Sequence, residues 1–445
     1  MHIVILGNGI SGITAARHIR QHSDNEITVV SAESDHFFSR TDLMYLYMGK
    51  KKIKDIKPFP DKFWKENRID LINGLVTHAD LVRKTLHLND DTSLSFDKLI
   101  IAVGSRPNKA GWPGQDLDGV HGLYSLQDLD AMERHSKGLK RAVIVGGGLL
   151  GVEMAEMFHS RKIPVTFLVR ESSYYDMVLP SEESALVTRR IREQGIDLRL
   201  ETELREIWGD RSGKVKMVFT SKGEKIECGY VGITTGIRPN IDFLHFTPLK
   251  YERGILVNEN LETSIPGVYA VGSCAQMRDP KPGREAIETR WLAGGNMGET
   301  AAHNILASSA QQPPIPYDPG IWFHSAKFFG ISYQACGEAG TGQDNLYWEH
   351  PDGHKSIRIA FHPDQGKVAG FIFMGLSFSR EICEKWIREG VHIEEVLLKL
   401  RTVETDGSFS RKHESAMIQL YNAQTGKNLR EAPRSGLAKA FGFLK

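Results

Sequence analysis

Hydrophobic positions in the first two-thirds of the chain form short apolar runs that alternate with amphipathic stretches. The chain opens on such a run at residues 2–6, followed by a helical pattern at 13–21 and a second apolar run at 27–30. Short continuous apolar runs are typical of strands buried on both faces. Their alternation with helices predicts an α/β fold built on parallel sheets.

A glycine cluster joins the first run to its helix. Gly7, Gly9 and Gly12 have GxGxxG spacing, and Glu33 follows the second run. The first glycine permits a tight turn, the second lets the backbone approach a pyrophosphate, and the third lets helix pack on strand. Phosphates then bind at the helix N-terminus, and the acid accepts a hydrogen bond from a ribose hydroxyl. Any glycine turn can share this spacing, but the complete order of elements predicts a dinucleotide-binding unit.

The same order recurs at residues 142–170. A strand (142–145), a helix (152–160) and a second strand (165–169) surround three glycines at the same spacing, Gly146, Gly148 and Gly151. Two such units predict two bound nucleotides. The second unit ends in Val169-Arg170-Glu171, with no acid equivalent to Glu33. Arg170 would suit a 2′-phosphate and favours NADPH, whereas Glu171 and Asp176 argue against that preference.

Size and composition place further bounds on the protein. With 445 residues the chain needs more than one domain. Lys+Arg (56) nearly balance Asp+Glu (55), so global charge predicts neither a nucleic acid nor a membrane as partner. No apolar run approaches the ~20 residues of a membrane span, and the N-terminus has no signal character, so a cytoplasmic location is expected. Four dispersed cysteines predict reduced thiols and no metal site.

Two segments allow two interpretations each. Residues 36–49 mix aromatic side chains with Arg40, which suits either a segment over a large planar ligand or a surface helix. Five lysines follow between residues 50 and 57. They form either a solvated face or a docking patch for an acidic electron-carrier protein.

The remaining pattern indicates a duplicated organisation and a third region. A strand at 98–103 ends in Gly104-Ser105-Arg106-Pro107, and residues 231–239 repeat the Gly-x-Arg-Pro ending. A helix is predicted at 288–306. From residue 313 onward, strand-like runs occur at 320–334, 346–350, 356–361 and 368–374, with a turn at 363–366. Residues 378–401 look helical and the last forty or so look loop-rich.

The two glycine units, together with Pro266-Gly267-Val268-Tyr269-Ala270-Val271-Gly272, resemble the FAD-dependent pyridine nucleotide-disulfide oxidoreductase superfamily over residues 1–310. The resemblance implies an α/β protein with two Rossmann-like domains and a C-terminal α+β interface domain, often a dimer contact. The implied domains are FAD-binding (1–110 and 244–312), NAD(P)H-binding (111–243) and interface (313–445). A homodimer is therefore expected.

The resemblance also assigns residues. Glu153 matches the acid near the nicotinamide, and Tyr45 is expected where relatives place a lysine near the flavin. The cofactor contacts implied for FAD are Gly7, Gly9, Gly12, Glu33, Arg40, Thr41, Val76, Ala102, Gly104, Gly272, Ser273 and Trp291. Those implied for NAD(P)H are Gly146, Gly148, Gly151 and Arg170.

Two departures from the family pattern bear on function. Thr41 stands where single-cysteine members carry a redox cysteine, and Ser273 replaces the aspartate that usually follows Gly272. The chain thus looks closest to the cysteine-free branch, which includes ferredoxin and rubredoxin reductases, the flavin domain of nitrite reductases, and apoptosis-inducing factor. It has no cysteine cluster for sirohaem, so nitrite reduction by this chain alone is not expected.

The resemblance implies hydride transfer from NAD(P)H to FAD and then electron transfer to an acceptor. A small electron carrier such as a ferredoxin or rubredoxin is the preferred acceptor. The alternatives are a slow NAD(P)H-responsive redox sensor, as in the apoptosis-inducing factor branch, and an NAD(P)H oxidase.

Overall fold

The computed structural model describes residues 1–339, 343–407 and 409–430, so the prediction for residues 431–445 lies outside the described residues. The chain forms two compact units. The first contains residues 1–172 and 196–319, and the second contains residues 173–195 and the chain from Gly320 onward. Within the described ranges, no helix has both the length and the apolar character needed to cross a bilayer.

The first unit contains a five-stranded parallel sheet built from distant parts of the chain. Leu6, in the central strand, pairs with Val30 on one side and Ile101 on the other, so these strands end at a common edge. Ligands in open α/β sheets bind at this carboxyl edge. The strands in spatial order are Val268–Ala270, Lys98–Ile101, His2–Leu6, Glu26–Ser31 and Asp70–Asn73.

Two helices cover this sheet in close contact with each other. Ile10–His22 follows the first glycine turn, and Trp291–Ser309 packs against it. A Cβ at Gly298 would lie 2.1 Å from the Ser11 carbonyl oxygen. Small residues in the second helix therefore permit the close approach.

A second five-stranded parallel sheet lies in the same unit. Its strands in spatial order are Asp197–Arg199, Val165–Leu168, Ala142–Val145, Tyr230–Ile233 and Val120–His121. Its helices are Leu126–His135 and Leu149–Ser160. Nearby, the chain forms a three-stranded antiparallel sheet of Leu204–Gly209, Val215–Thr220 and Lys225–Glu227.

Short elements complete the first unit. The two Gly-x-Arg-Pro segments pair with each other as the antiparallel strands Ser105–Pro107 and Ile237–Pro239. The other strands are Val76–Asp80, Thr85–Leu88, Ser93–Ser95, Ile255–Val257 and Ala275–Met277. The short helices are Arg40–Asp42, Leu43–Tyr47, Ile53–Ile56, Lys62–Glu66, Asp242–Leu244 and Gly272–Cys274.

The second unit is an antiparallel sheet with helices. The strands in spatial order are Phe323–Phe328, Ile331–Gly337, Val368–Met374, Ser356–Phe361 and Asp344–Glu349. The helices are Ser181–Glu193, Arg380–Glu389, Ile393–Lys399, Leu400–Thr402 and Arg411–Thr425. The predicted turn at 363–366 is confirmed, because it joins two paired strands.

Two sequence predictions were wrong in this unit. The single run at 320–334 is a hairpin, turned at Phe329 and Gly330, which both have positive φ. Residues 411–425 form a helix rather than a loop. Ser410 caps it, donating its backbone N–H to His413 Nδ1, and its buried face consists mainly of Met417, Ile418 and Tyr421.

A buried ion pair explains why residues 173–195 group with the second unit. The Arg358 guanidinium donates to both carboxylate oxygens of Glu183 at 2.8 and 2.9 Å, and both side chains are shielded from solvent. Removing one partner of such a pair leaves the other as an uncompensated buried charge, which destabilises the fold. The helix Ser181–Glu193 is thereby held to the strand Ser356–Phe361, although the predicted boundaries place it in the NAD(P)H domain.

Candidate functional site

A cavity of about 740 Å³ opens at the carboxyl edge of the first sheet. This volume lies within the range of pockets that enclose small-molecule ligands. Twelve of the predicted site residues line it: Gly7, Gly9, Glu33, Arg40, Thr41, Val76, Ala102, Gly104, Glu153, Gly272, Ser273 and Trp291. The fold thus brings together, at one site, residues as far apart in the sequence as Gly7 and Trp291.

The glycine turn at the cavity floor leaves no room for side chains at two of its positions. A Cβ at Gly7, whose φ is +105°, would lie 2.3 Å from the Ala102 carbonyl oxygen, and one at Gly12 would lie 2.0 Å from the Gly7 carbonyl oxygen. Gly9 faces open space and begins the helix Ile10–His22 without a side-chain cap. Uncapped amides at a helix N-terminus fit a pyrophosphate, so this cradle fits a dinucleotide such as FAD.

Glu33 and Arg40 form a charged pair in the cavity wall. Arg40 donates to Glu33 Oε1 at 2.9 Å and to Oε2 at 2.5 Å. Its guanidinium also stacks over the Tyr124 ring, 4.6 Å from the centroid. Burial by itself lowers the pKa of Arg40, but the hydrogen bonds to Glu33 leave it raised above its ordinary value. The wall therefore presents a fixed cation, suited to a phosphate, beside a carboxylate suited to a ribose.

Ser273 is held by a hydroxyl network rather than by a charge. Ser105 Oγ donates to Ser273 Oγ at 2.9 Å, and the Ser105 backbone N–H donates to the Tyr124 hydroxyl at 3.0 Å. The cavity thus has a neutral hydroxyl at the position where the family usually has an aspartate.

Glu153 connects the second glycine unit to this cavity. It lies on the helix Leu149–Ser160, which begins at the second glycine turn. Glu153 and Leu150 of this helix both line the cavity. Burial raises the pKa of Glu153 to about 7, and the neighbouring Glu156 adds to the rise. The carboxyl group is therefore partly protonated near neutral pH, where it can act as a hydrogen-bond donor.

The second glycine turn has the same steric constraints as the first. Gly146 has a φ of +119°, and a Cβ at Gly151 would lie 2.2 Å from the Gly146 carbonyl oxygen. Arg170 Nε donates to Glu171 Oε1 at 2.6 Å, and a Cβ at Gly147 would lie 3.3 Å from Glu171 Oε2. Both charged side chains thus lie beside this turn, whereas Gly146, Gly148, Gly151 and Arg170 are outside the cavity lining.

The position predicted for Tyr45 finds no support. Leu43 and Met44, in the same short helix, line the cavity, but Tyr45 is not part of the lining. Its ring instead lies 5.5 Å from Lys51 Nζ. Successive helical side chains point about 100° apart, so neighbours in sequence need not share a face.

Several cavity residues were missed by sequence reasoning. Asp128 completes a capping box that starts at Ser125, a motif visible as Ser-x-x-Asp, and Tyr124 directly precedes that box. Glu288 and Arg290 precede the long helix Trp291–Ser309, and Arg290 Nε donates to Glu288 Oε2 at 3.1 Å. No sequence signal identifies this second pair, since the tertiary fold alone brings it to the cavity.

The comparisons with known proteins agree with this geometry. The model of the family described as pyridine nucleotide-disulphide oxidoreductase matches residues 1–292. The Bacillus subtilis NAD(P)H nitrite reductase is 33% identical over 279 residues, which are 62% of this chain but 34% of that protein. The Clostridium acetobutylicum NADH-rubredoxin oxidoreductase is 28% identical over 384 residues, 85% of this chain and 94% of that one.

Solved structures share the fold. The covalent complex of putidaredoxin reductase with putidaredoxin superposes with a TM-score of 0.78 at 21% identity, covering 93% of this chain and 98% of that one. The Archaeoglobus fulgidus NAD-dependent persulfide reductase gives 0.79 at 22% identity, covering 96% and 84%.

The chain belongs to the pyridine nucleotide-disulphide oxidoreductase family. The family resemblance and the predicted α/β fold with two dinucleotide-binding units are both confirmed. Membership of this family supports FAD and a pyridine nucleotide as the cofactors of the chain. The chain spans only about a third of the length of the Bacillus subtilis nitrite reductase.

Proposed function

We propose that the protein is an NAD(P)H-dependent flavoprotein reductase that delivers electrons to a small electron-carrier protein. The observation that supports this most strongly is the shared cavity, since the FAD cradle at Gly9 and Arg40 and Glu153, from the second glycine motif of the same compact unit, line one space. Bound FAD would supply the step between a two-electron hydride donor and a one-electron acceptor. The test is anaerobic reduction by NAD(P)H followed by addition of an oxidised carrier.

The residues of this chain position the reactants and exclude thiol chemistry. The Gly7–Gly12 turn would hold a pyrophosphate, Glu33 a ribose, and Glu153 the nicotinamide carboxamide. All four cysteines are buried and free. Burial raises the pKa of Cys274 to about 11 and that of Cys228 to about 12, so neither is an available thiolate at neutral pH. This supports electron transfer without a redox-active disulfide.

The lysine run is the proposed carrier-docking patch. It begins at Lys50, shortly beyond the segment containing Arg40 and Met44 that lines the cavity. Lys51 is paired with Asp42 at 2.7 Å and Lys57 with Asp61 at 3.3 Å. The exposed members Lys50, Lys52 and Lys54 therefore supply most of the patch's outward charge. Complementary charge accelerates encounter with an acidic partner, and relatives are named rubredoxin and ferredoxin reductases.

Replacing Glu153 with glutamine should raise the flavin midpoint potential only in alkaline solution. The wild-type carboxyl has a raised pKa of about 7, so it is neutral below that pH and negative above it. A negative charge beside the flavin disfavours added electrons. We expect wild type and Glu153→Gln to have similar potentials about one unit below pH 7 and to diverge about one unit above it.

A dye-equilibration redox titration at both pH values measures this difference. Leu150→Ala changes the same helix turn without changing charge and serves as control. A constant offset between wild type and Glu153→Gln at the two pH values would contradict the assignment.

We propose that Arg170 makes the protein prefer NADPH to NADH. Its side chain is 66% exposed beside the second glycine turn and is held by Glu171. Arg170→Ala should raise KM for NADPH about five- to tenfold, since a charge-assisted hydrogen bond to phosphate is lost, and leave KM for NADH unchanged. Glu171→Gln, which releases the guanidinium, should lower KM for NADPH. Equal changes for both nucleotides in steady-state assays would refute the preference.

A homodimer is proposed from the family resemblance, and a cytoplasmic location from the four free, buried cysteines. Light scattering of the purified protein tests the first, and fractionation of the source cells tests the second.

An oxidase is the second candidate function. The Methanocaldococcus jannaschii NADH oxidase is 28% identical over 327 residues, 71% of this chain and 72% of that protein. Oxygen consumption that equals the rate of flavin reduction would favour this candidate over the carrier reductase.

A further inference from the structure

Two histidines and an aspartate lie close together at the C-terminal end of the helix Leu126–His135, opposite its capped N-terminus. His135 is the last residue of that helix, and His121 ends the edge strand Val120–His121, which Asp118 shortly precedes. One potential ligand atom from each side chain lies within 4.8 Å of the other two. His135 Nε2 and Asp118 Oδ1 are 3.0 Å apart.

We propose that Asp118, His121 and His135 bind one divalent transition-metal ion of the zinc class, with a fourth position open to water. Two imidazole nitrogens and one carboxylate oxygen form a ligand set that suits zinc and its neighbours rather than calcium or magnesium. Metal–ligand bonds of about 2.0–2.2 Å place tetrahedral ligand atoms roughly 3.3–3.6 Å apart. Side-chain movements of about 1 Å would bring the observed set to that spacing.

Unsatisfied polar atoms at this place point independently to a missing ligand. Within the described part of the chain, His121 Nε2 is buried without a hydrogen-bond partner, and so is the Tyr230 hydroxyl. The Tyr230 ring centroid lies 5.9 Å from that of His121 and 6.2 Å from that of His135. Buried polar groups without partners are costly. A metal ion and its bound water would give these atoms the partners that they lack.

The electrostatic surroundings also favour a bound cation. Burial lowers the pKa of His121, and nearby His135 adds to this. Asp128 and Asp118 oppose that shift, while Arg134 is the nearby cation that reinforces it. The site also lies at a helix C-terminus, where the helix dipole stabilises positive charge.

The expected role of the ion is to fix the helix that lines the cofactor cavity. The capped end of Leu126–His135 reaches the cavity, since the Leu126 N–H donates to Glu33 Oε1 at 3.1 Å and the preceding Tyr124 hydroxyl accepts from Ser105. A metal at His135 would tie the opposite end of this helix to the edge strand. No electron passes through the ion in this role.

Zinc titration of the FAD-loaded full chain, after chelator treatment, tests the proposal. Isothermal calorimetry at neutral pH should show one zinc ion per chain. His121→Gln and His135→Gln should each weaken binding by more than the roughly 10–100-fold that loss of an outer-shell partner costs. His78→Gln, an exposed histidine stacked on His87 at 5.7 Å, is the matched control and should bind as wild type does.

Wild-type affinity in both histidine variants, no zinc uptake by the wild type, or an equal loss in His78→Gln would overturn the proposal. Asp118→Asn changes a half-exposed side chain and keeps the test valid if a histidine variant fails to fold. The flavin absorbance of each sample reports the FAD site separately, so failure of the proposed reductase function can be distinguished from failure of the metal site.

Discussion

Replacing Gly12 with alanine yields a protein that purifies without FAD. The added Cβ would lie 2.0 Å from the Gly7 carbonyl oxygen and 3.1 Å from Ile5 Cγ2. Alanine is a better helix former than glycine, so the effect comes from the collision and not from helix propensity. Because the collision is with backbone, the turn must open, and the amides that face a pyrophosphate move with it. We expect at least a 100-fold loss of FAD affinity, measured by flavin fluorescence titration.

Gly295→Ala provides the matched control. Gly295 is also helical, but its Cβ would lie 3.7 Å from the nearest side-chain atom, an ordinary contact. This variant should remain yellow, and circular dichroism should show that both variants are folded. A yellow Gly12→Ala protein with wild-type affinity would contradict the assignment of the first glycine turn to FAD.

Reversing the charge of Lys52 and Lys54 together should slow electron delivery to an acidic carrier. Both side chains are exposed in the patch that follows the cavity-lining segment. Electrostatic steering changes association rates by about 10- to 1,000-fold. We expect the double variant Lys52→Glu, Lys54→Glu to reduce an acidic ferredoxin at least tenfold more slowly at low ionic strength. Added salt should remove most of the difference.

Two controls separate docking from catalysis. Flavin reduction by NAD(P)H, followed by stopped flow without a carrier, should be unchanged in the double variant. Lys250→Glu with Arg253→Glu makes the same change in net charge on another exposed segment and should leave carrier reduction close to the wild-type rate. If the two double variants slow carrier reduction equally, net charge rather than a docking patch is responsible.

The strands and glycine turns could be predicted because their signals are local. Residues 142–145 form the predicted strand, and the first helix extends beyond its predicted limits to Ile10–His22. Prediction failed where local signals are ambiguous. The 320–334 run is rich in β-forming residues, and positive φ at Phe329 and Gly330 divides it into two strands. The helix Arg411–Thr425 has a narrow apolar face among polar residues, so its pattern resembles a loop.

The candidate site was predictable where a motif determines it and not where folding assembles it. Gly9 and Glu33 follow from the spacing of one unit. Arg40 was assigned by resemblance, but its stacking on Tyr124 joins residues far apart in sequence. Cysteine spacing predicts no metal site, but it carries no information about the histidines. His121 and His135 meet only because a strand and a helix end side by side.

The central claim is that NAD(P)H reduces a flavin held by the Gly7–Gly12 turn, and that the reduced flavin then passes single electrons to a carrier. An anaerobic absorbance titration with NADPH, and separately with NADH, followed by oxidised rubredoxin or ferredoxin, tests it most directly. We predict a yellow protein that bleaches rapidly, more readily with NADPH, and regains its colour as the carrier is reduced. A protein that bleaches slowly, retains a long-wavelength charge-transfer band and leaves the carrier oxidised would contradict the account.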